Sequence, residues 1–339
     1  MVEMIDYIKE HFDDIINELG IETINPDRRY WLIRAGEKGV FFNEFYGRGF
    51  TGIGYGINDL EILTNSTRDE LKDIIGKKFP EEKQPGHIAG KIYNFMHEIK
   101  KGDVIVMPSS GRKNVAFGII ENDKVFIDNS LITGESLLEE DNSIDIPDKR
   151  RKVKWLKIVN SRFLQSKLIL NLFSPHGLSG ITDPEVTKLI DININDFFLK
   201  EENAYLSFQV NSEKQINLNA LSNLMSVLTD ISSTYLEDNQ QFSVQINLNS
   251  PGKIVIYGAK VSLVLAFLVL SFLGVKFKYA KGTEECTVDT PGLFTFFKEY
   301  LSHQEKMEEL NIKYIEAINQ LNIEEAEKIK LIREKNKHQ

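Results

Sequence analysis

The residues of this chain that could do chemistry are cations and aromatics, not paired acids or metal ligands. The densest cationic run is Lys149-Arg150-Arg151-Lys152-Val153-Lys154. On a strand Arg150, Lys152 and Lys154 share one face, a spacing that suits either a phosphate-contacting strip or a solvated edge strand. Arg112 and Lys113 form a second, shorter basic pair with phosphate contact as its expected role. Arg34 can clamp a phosphate or a base edge through its planar fork, or it can pair with Glu37. Trp31 and Tyr55 stand in strand-like segments, where an aromatic is either a stacking platform or core. Trp155 reads as core.

Motifs for catalysis are missing. The sequence holds no G-x-x-x-x-G-K-[ST] loop, no G-x-S-x-G and no H-E-x-x-H. Gly47-Arg48-Gly49-Phe50-Thr51-Gly52 looks superficially like a dinucleotide fingerprint, but Phe50-Thr51 continues as a strand where pyrophosphate binding needs a helix. His87 and His97 make a poor metal pair without a third ligand. Asp183-Pro184-Glu185-Val186-Thr187-Lys188 has one residue too many between acid and lysine for a restriction-type nuclease centre. It reads better as a helix start, with Asp183 as N-cap and Pro184 at the first position. No catalytic residue, metal or cofactor is assigned.

Composition bounds the rest. With 339 residues the chain has room for about two domains, and 42% hydrophobic with 27% charged residues is globular usage. A net charge of -9 excludes a surface that grips nucleic acid everywhere, but not a local basic face. A single cysteine, Cys286, excludes an internal disulfide and fits a reducing compartment, so the expected location is cytoplasmic.

Four segments emerge. Residues 1–28 carry an amphipathic helix over 3–19, stopped by Gly20 and too acidic for a signal peptide. Residues 29–195 alternate short strands with helices over 67–79 and 90–100. The first of these helices opens on a Thr67/Glu70 capping box and stops before Pro80. Residues 135–145 read as a mobile acidic loop. Residues 196–302 follow a β-α-β-β order with an apolar helix over Val261–Val275, which is short of the ~20 residues a bilayer span needs. That helix is expected to be buried in protein, with a second copy of the chain completing its cover. Residues 303–339 form a charged helix.

The order of motifs in the first large segment is more specific than any one of them. Trp31 to Gly39 is followed by Phe42, Phe45, Phe50 and Ile53-Gly54-Tyr55. Then come Gly90 to Phe95, Gly102-Asp103-Val104, Gly118, Arg151 to Trp155, Arg162 and Ser179-Gly180. This series resembles the PUA-like domain, related to EVE and YTH modules, that accompanies modification-dependent restriction proteins such as Mrr-like ones. The resemblance implies an α+β chain: a PUA-like or EVE-like curved β-barrel with inserted helices, then a smaller α/β domain and a C-terminal helix. It implies an aromatic pocket for a flipped or modified base at Trp31, Arg34, Gly54 and Tyr55, with Trp31 as a wall whose removal spares the fold. The expected role is nucleic-acid recognition in bacterial restriction-type defence, in a homo-oligomer served by a separate effector or nuclease subunit. The alternative is a sensor–effector binding a nucleotide-like ligand and acting through an oligomerising or membrane-acting C-terminal domain.

From the missing acid–acid–lysine centre, the purified chain is expected not to cut modified or unmodified DNA with magnesium or manganese. Metal-dependent cleavage abolished by one carboxylate substitution in this chain would refute that.

Overall fold

The computed structural model describes residues 6, 8–131, 146–173, 177–210, 218–235, 242–246, 252–272, 278–281 and 284–287. The expected loop over 135–145 and the charged helix over 303–339 lie outside them. The chain divides into two units: Asp27–Asp191, and Met1–Pro26 together with Ile192–Gln339. The N-terminal segment therefore joins the C-terminal unit, a partnership its own periodicity does not encode. Its helix α1 (Phe12–Leu19) ends at Gly20, whose φ of 64° is the left-handed cap that glycine supplies without strain. Strand β1 (Glu22–Thr23) then pairs in parallel with Phe198 and Leu199.

The Asp27–Asp191 unit is α+β, a six-stranded sheet curled into a half-barrel with several helices. Along the chain its elements are β2 (Tyr30–Ile33), α2 (Phe42–Arg48), β3 (Phe50–Ile53), α3 (Leu60–Asn65), α4 (Arg68–Lys78), α5 (Pro85–Tyr93), β4 (Val104–Pro108), β5 (Asn114–Ile127), β6 (Lys149–Asn160), α6 (Ser166–Asn171), β7 (Leu178–Ile181) and the larger part of α7 (Pro184–Ile194), whose last residues from Ile192 belong to the other unit. The strand order is β3-β6-β5-β4-β2-β7; β2 and β4 are the parallel pair and every other ladder is antiparallel. The capping box stands as the spacing predicts. Glu70 N–H donates to Thr67 Oγ1 at 3.3 Å, and Thr67 N–H donates to Glu70 Oε2 at 2.7 Å. Asp183 accepts from Glu185 N–H at 2.9 Å and opens α7. Gly47–Gly52 runs from helix to strand, the reverse of a dinucleotide site.

The basic run departs most from expectation. Strand β6 is no edge, since it lies between β3 and β5. Lys149, Arg150 and Arg151 are buried at 0–1% exposure, while Lys152 and Lys154 are exposed. Arg150 is thus no phosphate contact. Its guanidinium donates to Asp128 Oδ2 at 2.8 Å, Ser130 O at 2.7 Å and Pro147 O at 3.0 Å, and lies 4.3 Å over the Phe50 ring. Lys149 Nζ donates to Ile57 O at 3.0 Å and Asp148 Oδ1 at 2.6 Å. Arg151 donates to Phe95 O and Met96 O at 2.8 Å each and to Asp123 O at 3.0 Å. The first two carbonyls belong to the wide turn Asn94–Glu98 that ends the α5 segment, where orphan carbonyls favour a cation. Burial pushes the Arg151 guanidinium down to about 10, which leaves it charged at neutral pH.

In the other unit, β1 heads a five-stranded sheet ordered β1-β8-β9-β11-β10. Its remaining elements are β8 (Phe197–Lys200), β9 (Asn203–Val210), α8 (Leu218–Tyr235), β10 (Ser243–Ile246), β11 (Gly252–Ala259), α9 (Lys260–Phe272), and a ribbon of β12 (Lys278–Lys281) with β13 (Glu284–Thr287). Helix α9 packs on β9, β11 and α8. Ser262 to Phe267 of that helix are at most 1% exposed within the single chain, so no second copy is needed to cover them. No helix among the described residues is long and apolar enough to cross a membrane.

Arg151→Ala strands three carbonyl acceptors at about 1–3 kcal/mol each where burial is complete. The expected loss of stability is therefore about 3 kcal/mol or more, read from denaturant midpoints. A loss below about 1 kcal/mol would show that the turn does not depend on the clamp.

Candidate nucleic-acid interface

Strands β2 and β4 run parallel, so both deliver their carboxyl ends to one side of the sheet. Arg34 follows β2 there, and the turn Ser110–Arg112 follows β4. The Gly36–Gly39 loop lies against that turn. A Cβ on Gly39 would sit 3.0 Å from Ser110 N and 3.1 Å from the Ser109 carbonyl carbon, and its φ is 78°, so only glycine allows the approach. The same side receives the segment before β7. Arg34 N–H donates to Gly177 O at 2.8 Å and its guanidinium to Leu172 O at 3.2 Å. Phe173 is 54% exposed, and Arg112 lies over its ring at 4.4 Å.

Arg34 and Arg112 are 78 positions apart in sequence, and the fold brings them together. Partial burial pushes the Arg34 guanidinium down, and the charge of Arg112 pushes it further the same way. Arg112 Nε is buried and finds no hydrogen-bond partner among the described residues. Glu37, the sequence-level alternative for Arg34, sits 3.8 Å from Lys38 instead. Lys113 is exposed beside this cluster, and its carbonyl accepts from Ser161 N–H at 2.9 Å. That bond brings in exposed Arg162, which lies 4.4 Å over the Phe163 ring. Reasoning from the sequence assigns neither Arg162 nor Phe173 a site role. The basic-aromatic alternation of Arg162-Phe163 was the signal that could have found the first. For Phe173, in an apolar helix end, there was none.

Tyr55 reaches the same segment from β3. Its hydroxyl lies 3.7 Å from where a Cβ of Gly177 would be, and Lys91 Nζ stands 5.5 Å from its ring. Tyr55 holds a φ of 73°, unusual for a side-chain-bearing residue. The turn after it is pinned twice, by Lys149 donating to Ile57 O and Lys78 to Gly56 O. Gly54 is buried between β3 and Tyr55.

Trp31 does not join this group. It is 6% exposed within the core, and its indole N–H donates to buried Asp103 at 2.9 Å. Asp103 also accepts from Lys100 N–H at 2.9 Å, so Gly102-Asp103 organises the entry to β4. The tryptophan is a core residue with a satisfied polar handle, not the wall of an open pocket. Trp155 is core too, donating to Phe45 O at 2.9 Å. Lys152 and Lys154 stand apart as well. Asn114 pairs with Asn160, and Lys154 lies six residues back along β6, roughly 20 Å at strand rise. His97 spends Nε2 on Leu63 O at 3.1 Å, and no group of acids, histidines or cysteines among the described residues could hold a metal.

Residues 31–170 match a family model described as "Domain of unknown function (DUF8426)". The match opens at Trp31 and closes before β7, so it contains Arg34, Tyr55, Arg112 and Arg162 but not Phe173. No curated protein and no solved structure matches the chain.

Because Trp31 is core, Trp31→Ala should destabilise the chain by about 3–5 kcal/mol in denaturant melts. Trp31→Phe, which loses mainly the hydrogen bond to Asp103, should cost about 1–2 kcal/mol. An unchanged midpoint for the alanine variant would return Trp31 to a pocket wall.

Proposed function

We propose that this chain recognises nucleic acid, without cutting it, through the end of its Asp27–Asp191 unit where Arg34 and Arg112 meet. The observation that carries the reading is two guanidiniums meeting the adjacent residues Leu172 and Phe173, the latter an exposed aromatic, with exposed Lys113 next to Arg112 in sequence and exposed Arg162 following the Ser161 that bonds the Lys113 carbonyl. Phosphate contacts by Arg and Lys supply affinity, and an aromatic face supplies sequence-tolerant stacking. A local basic face of this kind is compatible with a net charge of -9.

The ordered motif series from Trp31 to Ser179-Gly180, with its resemblance to PUA-like and EVE-like modules, supports a reader role in bacterial restriction-type defence. It also supports a modified base as target, while the single cysteine, Cys286, supports a cytoplasmic site of action. In this reading cleavage belongs to a separate effector or nuclease subunit, and the Ile192–Gln339 unit serves assembly into a homo-oligomer. Tyr55 takes the stacking role that Trp31 does not fill.

Mobility-shift titrations across a salt series test the proposal. Binding should weaken steeply with salt, and Lys113→Glu with Arg162→Glu should flatten the log–log slope by roughly 0.7–0.9 for each phosphate contact removed. Salt-insensitive binding confined to a mononucleotide would favour a small-ligand sensor. No binding to any strand or duplex would overturn nucleic-acid recognition.

A further inference from the structure

We propose that Arg34 and Arg112 form a site for a phosphomonoester, the phosphorylated end of a nucleic-acid strand. The inference rests on the nucleic-acid reading above and deepens it.

Charge comes first. An internal phosphodiester carries one negative charge, whereas a terminal phosphomonoester carries close to two at neutral pH. Arg34 donates to Leu172 O at 3.2 Å and Arg112 lies 4.4 Å over the ring of the next residue, Phe173, so two guanidiniums at one short segment match the dianion. Partial burial of Arg34 strengthens that match, because it removes the water that would screen the pair.

Preorganisation is the second argument. Arg112 lies over the Phe173 ring at 4.4 Å, a contact that restrains its fork before any ligand arrives. Its backbone sits at a φ of 56°, a conformation costly for arginine and free for glycine. Four described non-glycine residues have positive φ, and three of them, Lys38, Tyr55 and Arg112, border this one end of the sheet. Backbone strain concentrated in this way is typical of ligand clamps. The buried Nε of Arg112 has no hydrogen-bond partner among the described residues, a deficit an anion on its fork would offset. Phe173, half exposed, offers a platform for the terminal base.

The test uses the full chain, as wild type and Arg112→Gly. Four probes are titrated at constant salt: a short single strand with a 5′-phosphate, the same strand with a 5′-hydroxyl, a nucleoside 5′-monophosphate and inorganic phosphate. The phosphorylated strand should bind the wild type roughly tenfold tighter than the hydroxyl strand, and the monophosphate should compete for that advantage. Arg112→Gly should erase the difference while melting at the same temperature or higher, since glycine relieves the positive φ. Equal, salt-steep binding of both strands would overturn the phosphomonoester site and leave nucleic-acid recognition standing. Binding of the monophosphate or inorganic phosphate with neither strand would support the site and overturn the strand as its ligand. If no probe binds, both readings fall. If Arg112→Gly keeps the full preference for the phosphorylated strand, Arg112 is not part of the site.

Discussion

Three consecutive cations turned into the interior of one strand set the frame on which the Asp27–Asp191 unit depends. Lys149, Arg150 and Arg151 each reach a different irregular segment, and most of their acceptors are backbone carbonyls. Irregular backbone cannot satisfy its own carbonyls as a helix or ladder does, and burying it unsatisfied is costly. Long cationic side chains from β6 make up the deficit. Such buried charges are weak as net stabilisers, because apolar replacements of equal volume often do as well. Their value here is positional: each ties one otherwise free segment to the sheet.

The consequence reaches the candidate site through Lys149. By donating to Ile57 O it pins the turn after Tyr55, and Lys78 secures the neighbouring carbonyl of Gly56. Tyr55 can then hold a φ of 73° with its hydroxyl beside Gly177. Gly177 in turn accepts from Arg34, so the edge strand β3 and the opposite edge strand β7 meet through one aromatic and one arginine. The parallel β2/β4 pair is what sends Arg34 and Arg112 to the same end; an antiparallel pair would have separated them.

The second unit follows the same economy. Lys253 Nζ donates to Ile192 O in the last turn of α7 at 2.7 Å and contacts Asp196 at 3.3 Å. A cation at a helix C-terminus is favourable there. Helix α9 lies over β9 and β11, and Phe267 packs against Phe197 with ring centroids 4.7 Å apart. The apolar side chains Leu263 to Phe267 of this helix are buried inside the protein.

What the sequence by itself determined is local. The Thr67/Glu70 box, the Gly20 stop, the Asp183-Pro184 start and most strands of both sheets, though not the short β1, β7 and β8, were legible because caps and periodicity act over a few residues. Arg112 and Lys113 were selected by residue type, Arg34 and Tyr55 by residue type together with the resemblance, and the fold places all four at or beside one end of a sheet. Tertiary structure decided which cations face inward. Lys149 reaches an acceptor 92 positions away and Arg151 reaches acceptors 28, 55 and 56 positions away, and alternation along β6 says nothing of them. It also decided that Trp31 points to Asp103, 72 positions on, and that α1 and β1 join the distant C-terminal unit. Period and capping are written in neighbouring residues. Whether a charge is solvated or buried depends on what the rest of the chain brings to meet it.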